Sequence, residues 1–560
     1  MRAQFAGMTG GLAPEVYVLA WLDWCTNLAQ RPATQLELGG MAASKAIDSW
    51  TFALNALGGK PLAPAEADNR YGVEAWRHWP YNVYANSYRN VADWWQAALA
   101  GVPGVEAANA RTLKLMGSNA LEAVSPANYL ATNPELLDTT RAESGRNLLR
   151  GMHLWLKDLE LLFARDAVPR DKPFVVGRDV AVTPGKVVMR NPLVELIQYD
   201  PVTPSVYAEP IVILPAWIMK YYILDLSPAN SLVRYLVSQG HTVFMVSWKN
   251  PGPGDRDLGL DDYLQLGVRD VIETVAAIAP QSAMHMVGYC IGGTLLSIAA
   301  AAMAAQGERR IASLSLLAAQ TDFSEPGELS LFISPAQLEM LEAAMQRTGV
   351  LTAEQMGGAF ALLRSRDLLW VPAVNKYLRG QEIKPNDLMS WNADGTRMPC
   401  RMHTEYLREL YLHNKLARGE FVAQGERVDL SAVRWPMFVV GTETDHVAPW
   451  RSVYKARGLT RSNDYTFLLT SGGHNAGIVS GPVHPRRRHR MLSWSDETTS
   501  LSPEDWQHTA VLTEGSWWPS WQRWLVAHSS PTELAARVPG SDAAGFPALS
   551  DAPGDYVKQA

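Results

Sequence analysis

The chain has 560 residues, a net charge of −6 and a sequence pI of about 6.1. That length exceeds one compact domain, and the charge excludes whole-molecule attraction to nucleic acid. Its three cysteines, Cys25, Cys290 and Cys400, form no C-x-x-C pair, which excludes a disulfide framework and a structural zinc site and fits a reducing cytoplasm. Met1 to Gly40 lacks a basic start followed by an apolar core, so no signal peptide is read. Residues 1–110 read as helical and irregular. Within 14–38 the apolar positions Val16, Leu19, Ala20, Leu22, Trp24 and Leu28 recur at helical spacing. Trp76, Trp79, Tyr81, Tyr84, Tyr88, Trp94 and Trp95 then crowd one stretch with few charges. Such density suits either ordinary core packing or a helix docked on an apolar surface. Ser125-Pro126-Ala127-Asn128 has the form of a helix start, 146–163 of a further helix, and 168–174 of a proline-containing loop.

From Pro210 the pattern changes to short apolar strands alternating with helices. The expected order is strand 211–214, helix 231–239 closed by Gly240, strand 242–246, helix 262–278, strand 284–287, helix 294–306 and strand 311–318. Alternation of this kind builds a mostly parallel sheet with helices on both faces. Residues 322–432 break the rhythm with three helical stretches, 328–345, 354–364 and 403–416, and no matching strand. The sheet resumes at 436–441 and 465–469. An insertion of this size between strands of one sheet is read as a helical cap over the C-terminal edge, where open α/β sheets bind ligands. Trp517, Trp518, Trp521 and Trp524 follow, then a segment rich in Ala, Pro, Gly, Ser and Asp that is expected to fray. The uncharged window 281–307 is long enough to span a bilayer, but its Gly-Gly break and strand-like opening favour a buried strand, turn and helix.

That window contains the stretch on which a functional reading turns. Residues 284–296 are M-H-M-V-G-Y-C-I-G-G-T-L-L, the strand–turn–helix pattern of a nucleophile elbow with cysteine in the serine position. Gly288 and Gly292 flank Cys290 at two residues on each side, where so tight a turn leaves no room for side chains. Gly293 lets the new helix pack close to the sheet. The thiol would stand at a helix N-terminus, where the dipole favours the reactive thiolate. The alternative is a structural cysteine in an Ala-rich segment.

A thiol nucleophile needs a base and an orienter for it, in the order nucleophile, acid, histidine, each at a strand end. After 436–441 comes G-T-E-T-D-H-V-A-P-W, which makes Asp445 the candidate acid. After 465–469 comes T-S-G-G-H-N-A-G, which makes His474 the candidate base. Singly, Asp445 could cap a helix and His474 could be a solvated loop residue. In order behind an elbow, Cys290, Asp445 and His474 form a triad. His446, beside Asp445, is read as auxiliary, structural or substrate-positioning. The oxyanion hole would use the backbone N–H of Ile291 and one from the loop P-A-W-I-M-K after 211–214, Trp217 or Ile218; the Trp217 side chain itself is read as core. Arg486-Arg487-Arg488-His489-Arg490 is either a solvated loop or a cradle for the phosphates of a nucleotide-like leaving group. No resident cofactor or metal is expected.

Several of these motifs are long, and they resemble those of the polyhydroxyalkanoate (poly-3-hydroxybutyrate) synthase family. The resemblance rests on G-Y-C-I-G-G, P-A-W-I-M-K-Y-Y-I-L-D-L-S-P-x-N-S-L, S-W-K-N-P, W-N-A-D-G-T-R-M-P, D-H-V-A-P-W and S-G-G-H-N-A-G, with V-S-P-A-N-Y-L-A-T-N-P-E before them and G-S-W-W-P-x-W after. The elbow box is closer to the class I type acting on short 3-hydroxyacyl-CoA. The resemblance implies an α/β-hydrolase core and an acyltransferase that polymerises (R)-3-hydroxyacyl-CoA and releases CoA. It implies that Cys290 carries the acyl chain, that His474 activates the thiol, and that Asp445 either supports His474 or helps deprotonate the incoming 3-hydroxyl. It also implies a homodimer at the surface of cytoplasmic polyester granules, with the aromatic N-terminal part resembling the region used there. The domains expected are a helical N-terminal domain (1–175), the first part of the core (176–321), a helical cap (322–432), the second part of the core (433–535) and a flexible tail (536–560). A thioesterase or polyester depolymerase would share the triad, and a granule-coating protein with a relic site would need none of it.

Overall fold

Apolar residues at three- and four-residue spacing wind the first part of the chain into helices Pro14–Ala29, Pro32–Leu57, Tyr81–Ala100, Ala107–Ala123, Pro134–Ala142 and Arg146–Phe163. The structure is a computed structural model and describes residues 14–58, 68–163, 173–280, 282–382, 384–495, 501–531 and 533–560. Most of the proline loop expected at 168–174 lies outside the described residues. Pro134 opens its helix at the first turn and the Asn133 side chain caps it, accepting the N–H groups of Glu135 and Leu136. Ser125 begins no long helix; Pro126–Asn128 is a single turn. The crowded aromatics divide. Trp76 is wholly buried against Tyr71 and Tyr81, and Trp24 and Trp94 give their indole N–H groups to the carbonyls of Ala98 and Leu38, whereas Trp79 and Tyr84 stay exposed.

The chain folds as two compact units. The first joins Met1–Asp171 to Gln355–Lys384, a stretch from the middle of the insertion expected to act as one cap. Specific contacts hold that stretch. Asp158 takes Lys376 Nζ at 2.6 Å and the Tyr377 hydroxyl at 2.7 Å. Glu135 takes Arg379 at 2.9 Å, Asn147 donates to the Leu378 carbonyl, and Asn119 bridges Leu362 and Ser365. Gly151 permits the closest approach: a Cβ there would stand 1.8 Å from the Tyr377 carbonyl oxygen.

The second unit, Lys172–Glu354 with Pro385–Ala560, is built on eleven strands: β1 (Gly185–Arg190), β2 (Val194–Tyr199), β3 (Ile211–Leu214), β4 (Val243–Trp248), β5 (Met284–Tyr289), β6 (Ile311–Leu317), β7 (Met437–Thr442), β8 (Tyr465–Thr470), β9 (Arg488–Trp494), β10 (Val511–Glu514) and β11 (Ser550–Asp551). Their order in the sheet is β10-β9-β8-β7-β6-β5-β3-β4-β2-β1-β11. The six from β4 to β8 run parallel, and the flanks are antiparallel. Residues of β3, β4, β5, β7 and β8 are buried throughout, as expected where helices cover both faces. After β3 the chain first adds β4 on one side and then β5 on the other, so the strand order reverses at β3/β5. Open α/β sheets bind ligands outside such a reversal.

The window 281–307 resolves into β5, a turn at Cys290 and helix Ile291–Ala305, with Gln281 outside the described residues. No helix among the described residues is long and apolar enough to cross a membrane. Trp517, Trp518 and Trp521 are wholly buried and give their N–H groups to Gly477 O, Ile478 O and Ser315 Oγ. The segment expected to fray is instead held. β11 pairs with β1, the buried Glu195 accepts the N–H groups of Asp555 and Tyr556, and the buried Lys220 donates to the carbonyls of Val557 and Gln559 at 2.7 and 2.8 Å. Composition misleads there because main-chain groups do much of the anchoring, with one apolar side chain, Val557, buried in the core.

Candidate active site

Strand β5 ends at Tyr289 and the next helix begins at Ile291, which leaves Cys290 to make the whole turn. Its φ of 54° and ψ of −129° lie where few L-residues go. The turn is possible because its neighbours are glycines: a Cβ on Gly288 would stand 2.3 Å from Gly293 Cα, and one on Gly292 2.3 Å from the Leu214 carbonyl oxygen. The Cys290 N–H is fixed to Leu317 O at 2.9 Å, so the elbow is tied to β6. The thiol-bearing residue is half-buried.

The other two residues arrive on neighbouring strands. Thr442 at the end of β7 pairs in register with Thr470 at the end of β8. The loops beyond are joined by Glu443 N–H to Thr470 O and Thr444 N–H to Gly472 O. Asp445 has no exposed side-chain surface. One of its oxygens takes the N–H groups of Val447 and Ala448, and the other takes Thr442 Oγ1 at 2.9 Å and His474 Nδ1 at 2.8 Å. A carboxylate only accepts, so Nδ1 carries the proton. On its other side the imidazole stands close enough to the Cys290 sulfur for the two to interact electrostatically. Behind it the Tyr289 ring lies 5.7 Å away, its hydroxyl donating to Asn475 Oδ1 at 2.6 Å.

These contacts set the charges. Burial pushes the Asp445 carboxyl up, but the His474 charge, the bond to His474, the Ala448 N–H and Thr442 outweigh it, and the group stays below the usual carboxylate range. Burial pushes His474 down, yet Asp445 and the Cys290 sulfur hold the imidazole protonated well above its ordinary range. The resting arrangement favours an imidazolium between a carboxylate and a sulfur.

The Ile291 N–H lies in the first turn of its helix, among the donors a helix cannot satisfy itself. The loop after β3 abuts that turn, because a Cβ on Gly292 would also meet the Pro215 carbonyl. The Trp217 side chain is buried against Trp248 and Tyr263, and its carbonyl accepts Thr396 Oγ1. His446 is half-buried, and its carbonyl accepts the Glu328 N–H at the root of the insertion. The basic run is a strand rather than a loop from Arg488 onward. Cys25 is exposed and Cys400 half-buried on helix Cys400–Glu405, outside this constellation.

Two residues escape a reading by motif. Tyr406 and Tyr411, from the part of the insertion that packs in this unit, are buried, and Tyr406 donates to the Tyr411 hydroxyl at 3.2 Å. The Tyr411 ring lies 4.7 Å from Phe323. Burial first, and the Cys290 sulfur among further causes, push both phenols up, so they stay protonated donors. Their only signal in sequence is aromatic spacing in a helical stretch, which core packing produces equally well.

Comparisons with known proteins bear on this site. A family model described as the poly-beta-hydroxybutyrate polymerase N-terminus matches residues 67–236, another described as the polymerase N terminal matches 1–33, and an alpha/beta hydrolase fold model matches 209–480. Poly(3-hydroxyalkanoate) polymerase of Methylorubrum extorquens is 37% identical over 96% of this chain and 88% of its own length. The polymerase subunit of Cupriavidus necator is 34% identical over 96% and 94%. The chain belongs to the poly(3-hydroxyalkanoate) polymerase family. Poly(3-hydroxyalkanoate) polymerase 2 of Ectopseudomonas oleovorans is a further relative, 32% identical over 90% of this chain. The sheet of this poly(3-hydroxyalkanoate) polymerase family member is an α/β-hydrolase core, in a chain that also has a helical N-terminal part and a helical insertion.

Proposed function

We propose that this protein polymerises (R)-3-hydroxyacyl groups, delivered as short-chain CoA thioesters such as 3-hydroxybutyryl-CoA, into a polyester held on Cys290. The observation that carries the reading is His474, bonded on one side to a buried Asp445 and influenced on the other by the Cys290 sulfur, in a chain of this family. Cys290 attacks the thioester carbonyl; the CoA sulfur leaves and takes the proton held by His474, and an acyl-Cys290 thioester remains. The 3-hydroxyl of a second 3-hydroxyacyl-CoA then attacks that thioester and gives its proton to His474; an oxygen ester forms, Cys290 leaves as the thiolate, and the lengthened acyl-CoA reloads Cys290 as in the first step with release of CoA. Loading exchanges one thioester for another and is nearly balanced, whereas ester formation runs downhill, which is the use of sulfur over oxygen here.

Asp445 supports His474 in this scheme rather than meeting the 3-hydroxyl, since its oxygens are already engaged by His474, Thr442 and two main-chain N–H groups. The N–H groups of Ile291 and Trp217 are the donors assigned to the developing oxyanion. The scheme needs no resident cofactor. The proposed setting is the cytoplasm, as a homodimer on a polymer surface; exposed Val18, Leu19, Leu22, Ile47, Trp50 and Leu54 on the first two helices support contact with an apolar surface.

Incubation with 3-hydroxybutyryl-CoA tests the reading: CoA should appear together with insoluble polyester, and free 3-hydroxybutyrate in its place would identify a hydrolase instead. Cys290→Ala should abolish acyl loading, while Cys25→Ser and Cys400→Ser should leave it intact.

A further inference from the structure

The four arginines at 486, 487, 488 and 490 sit beside the loop that carries His474. β8 and β9 pair with Thr470 opposite His489, so Arg487 and Arg488 flank Ser471, three residues before His474. The Ser471 N–H donates to Arg488 O at 2.9 Å, the Arg488 N–H to Ser471 Oγ at 3.1 Å, and Arg487 Nη1 reaches Ser471 O at 3.4 Å. His489 turns to the opposite face, toward Ser520 and Gly515, and Arg490 donates to Ala510 O. Arg486 and Arg488 project to solvent. Among the described residues Glu443, 3.5 Å from Arg488, is the one carboxylate within 4.0 Å of any of the four. Glu514 faces Arg488 across the strand pair without closing on it. A chain with net charge −6 thus keeps, at the C-terminal end of its sheet and on the rim of the candidate site, an edge of four arginines with one carboxylate pair among the described residues.

We propose that Arg486 and Arg488 form the subsite for the phosphates of the CoA leaving group, with Arg487 bracing the His474 loop behind them. The proposal rests on the reading of Cys290 as an acyl acceptor from a CoA thioester. Distance supports it. From β5, which carries Cys290, to β9 is four strand steps in the sheet, about 19 Å. A pantetheine arm is as long as four to five residues of extended peptide, about 15 Å, and a long arginine side chain covers the remainder. The guanidinium fork matches phosphate oxygens in pairs. A thioester sulfur at Cys290 and phosphates at Arg486 and Arg488 therefore lie at the two ends of one ligand.

The test compares the full-length protein with its Arg486→Ala/Arg488→Ala variant on two thioesters, 3-hydroxybutyryl-CoA and 3-hydroxybutyryl-N-acetylcysteamine, which lacks phosphate. KM for the CoA thioester should rise about tenfold for each arginine removed, and added salt should no longer raise it; KM for the truncated thioester should not move. Arg486→Lys/Arg488→Lys should recover part of the difference by restoring charge. CoA binding by calorimetry on the Cys290→Ala background reads the subsite without catalysis. An unchanged affinity for CoA, or an equal loss for both thioesters, overturns the proposal. Should the native protein make no polyester while CoA affinity still falls with the arginines, the subsite stands and the polymerase reading falls.

Discussion

At Asp445 a full negative charge is held out of water by three donors and one imidazolium. Removing the charge while keeping the shape, as in Asp445→Asn, takes away the main partner that holds His474 protonated and oriented, and sets against Nδ1 a neutral amide that can present N–H groups to it. Acyl transfer should then fall by about three to four orders of magnitude through misplacement of the imidazole proton. Breaking a buried pair in this way should also cost about 3–5 kcal/mol of stability, with a defined pH dependence. The depressed Asp445 contributes above its unfolded value, about 3.9, and loses that contribution as pH falls through its lowered folded value. The raised His474 contributes fully below about 6.5 and loses its share as pH climbs through its raised folded value. The melting-temperature gap between native protein and Asp445→Asn should therefore be widest from about pH 4 to 6.5 and narrow on both sides. Cys290, Asp445 and His474 were legible in sequence because acyl chemistry constrains residue type, order and position after a strand. Tyr406 and Tyr411 were not, because no spacing rule says which tyrosines of a helical stretch will be buried beside the site.

Among elements, β3 to β8 could be read from their continuous apolar runs, since burial on both faces leaves nothing polar to break them. The flanking strands β1, β2 and β9 to β11 could not. β9 begins Arg-His-Arg, and β11 pairs through two residues, too few to carry a pattern. The helix expected over 262–278 is interrupted by a π-helical turn at Gln265–Arg269, and 403–416 becomes Cys400–Glu405 followed by a π-helical Tyr406–Leu412; periodicity cannot register such a widening. Nor does periodicity name a partner, which is why the insertion reads as one piece although Gln355–Lys384 packs with the N-terminal helices. Gly151→Ala tests that packing. Its Cβ would meet the Tyr377 main chain, which cannot swing aside. The substitution should loosen residues 371–380 from helix Arg146–Phe163, measured as faster proteolysis near Arg379 and faster amide exchange there, with helix content unchanged elsewhere.

For the whole molecule, the notable surface is that of helices Pro14–Ala29 and Pro32–Leu57. Their outward residues include Trp50, 70 % exposed, and Leu54, with Val18, Leu19 and Leu22 on the shorter helix. If this surface meets the polyester, Trp50→Glu/Leu54→Glu should move protein from the granule pellet to the supernatant by several-fold without slowing turnover of soluble thioester; unchanged partition would assign the surface elsewhere. The backbone crosses between the two units three times, after Asp171, after Glu354 and after Lys384. Cutting away the leading helices is consequently no clean amputation: it would strip Lys376, Tyr377 and Arg379 of Asp158 and Glu135 and leave an orphaned excursion hanging from the catalytic half. Lost turnover in such a truncation would report that stranded loop as much as any missing anchor.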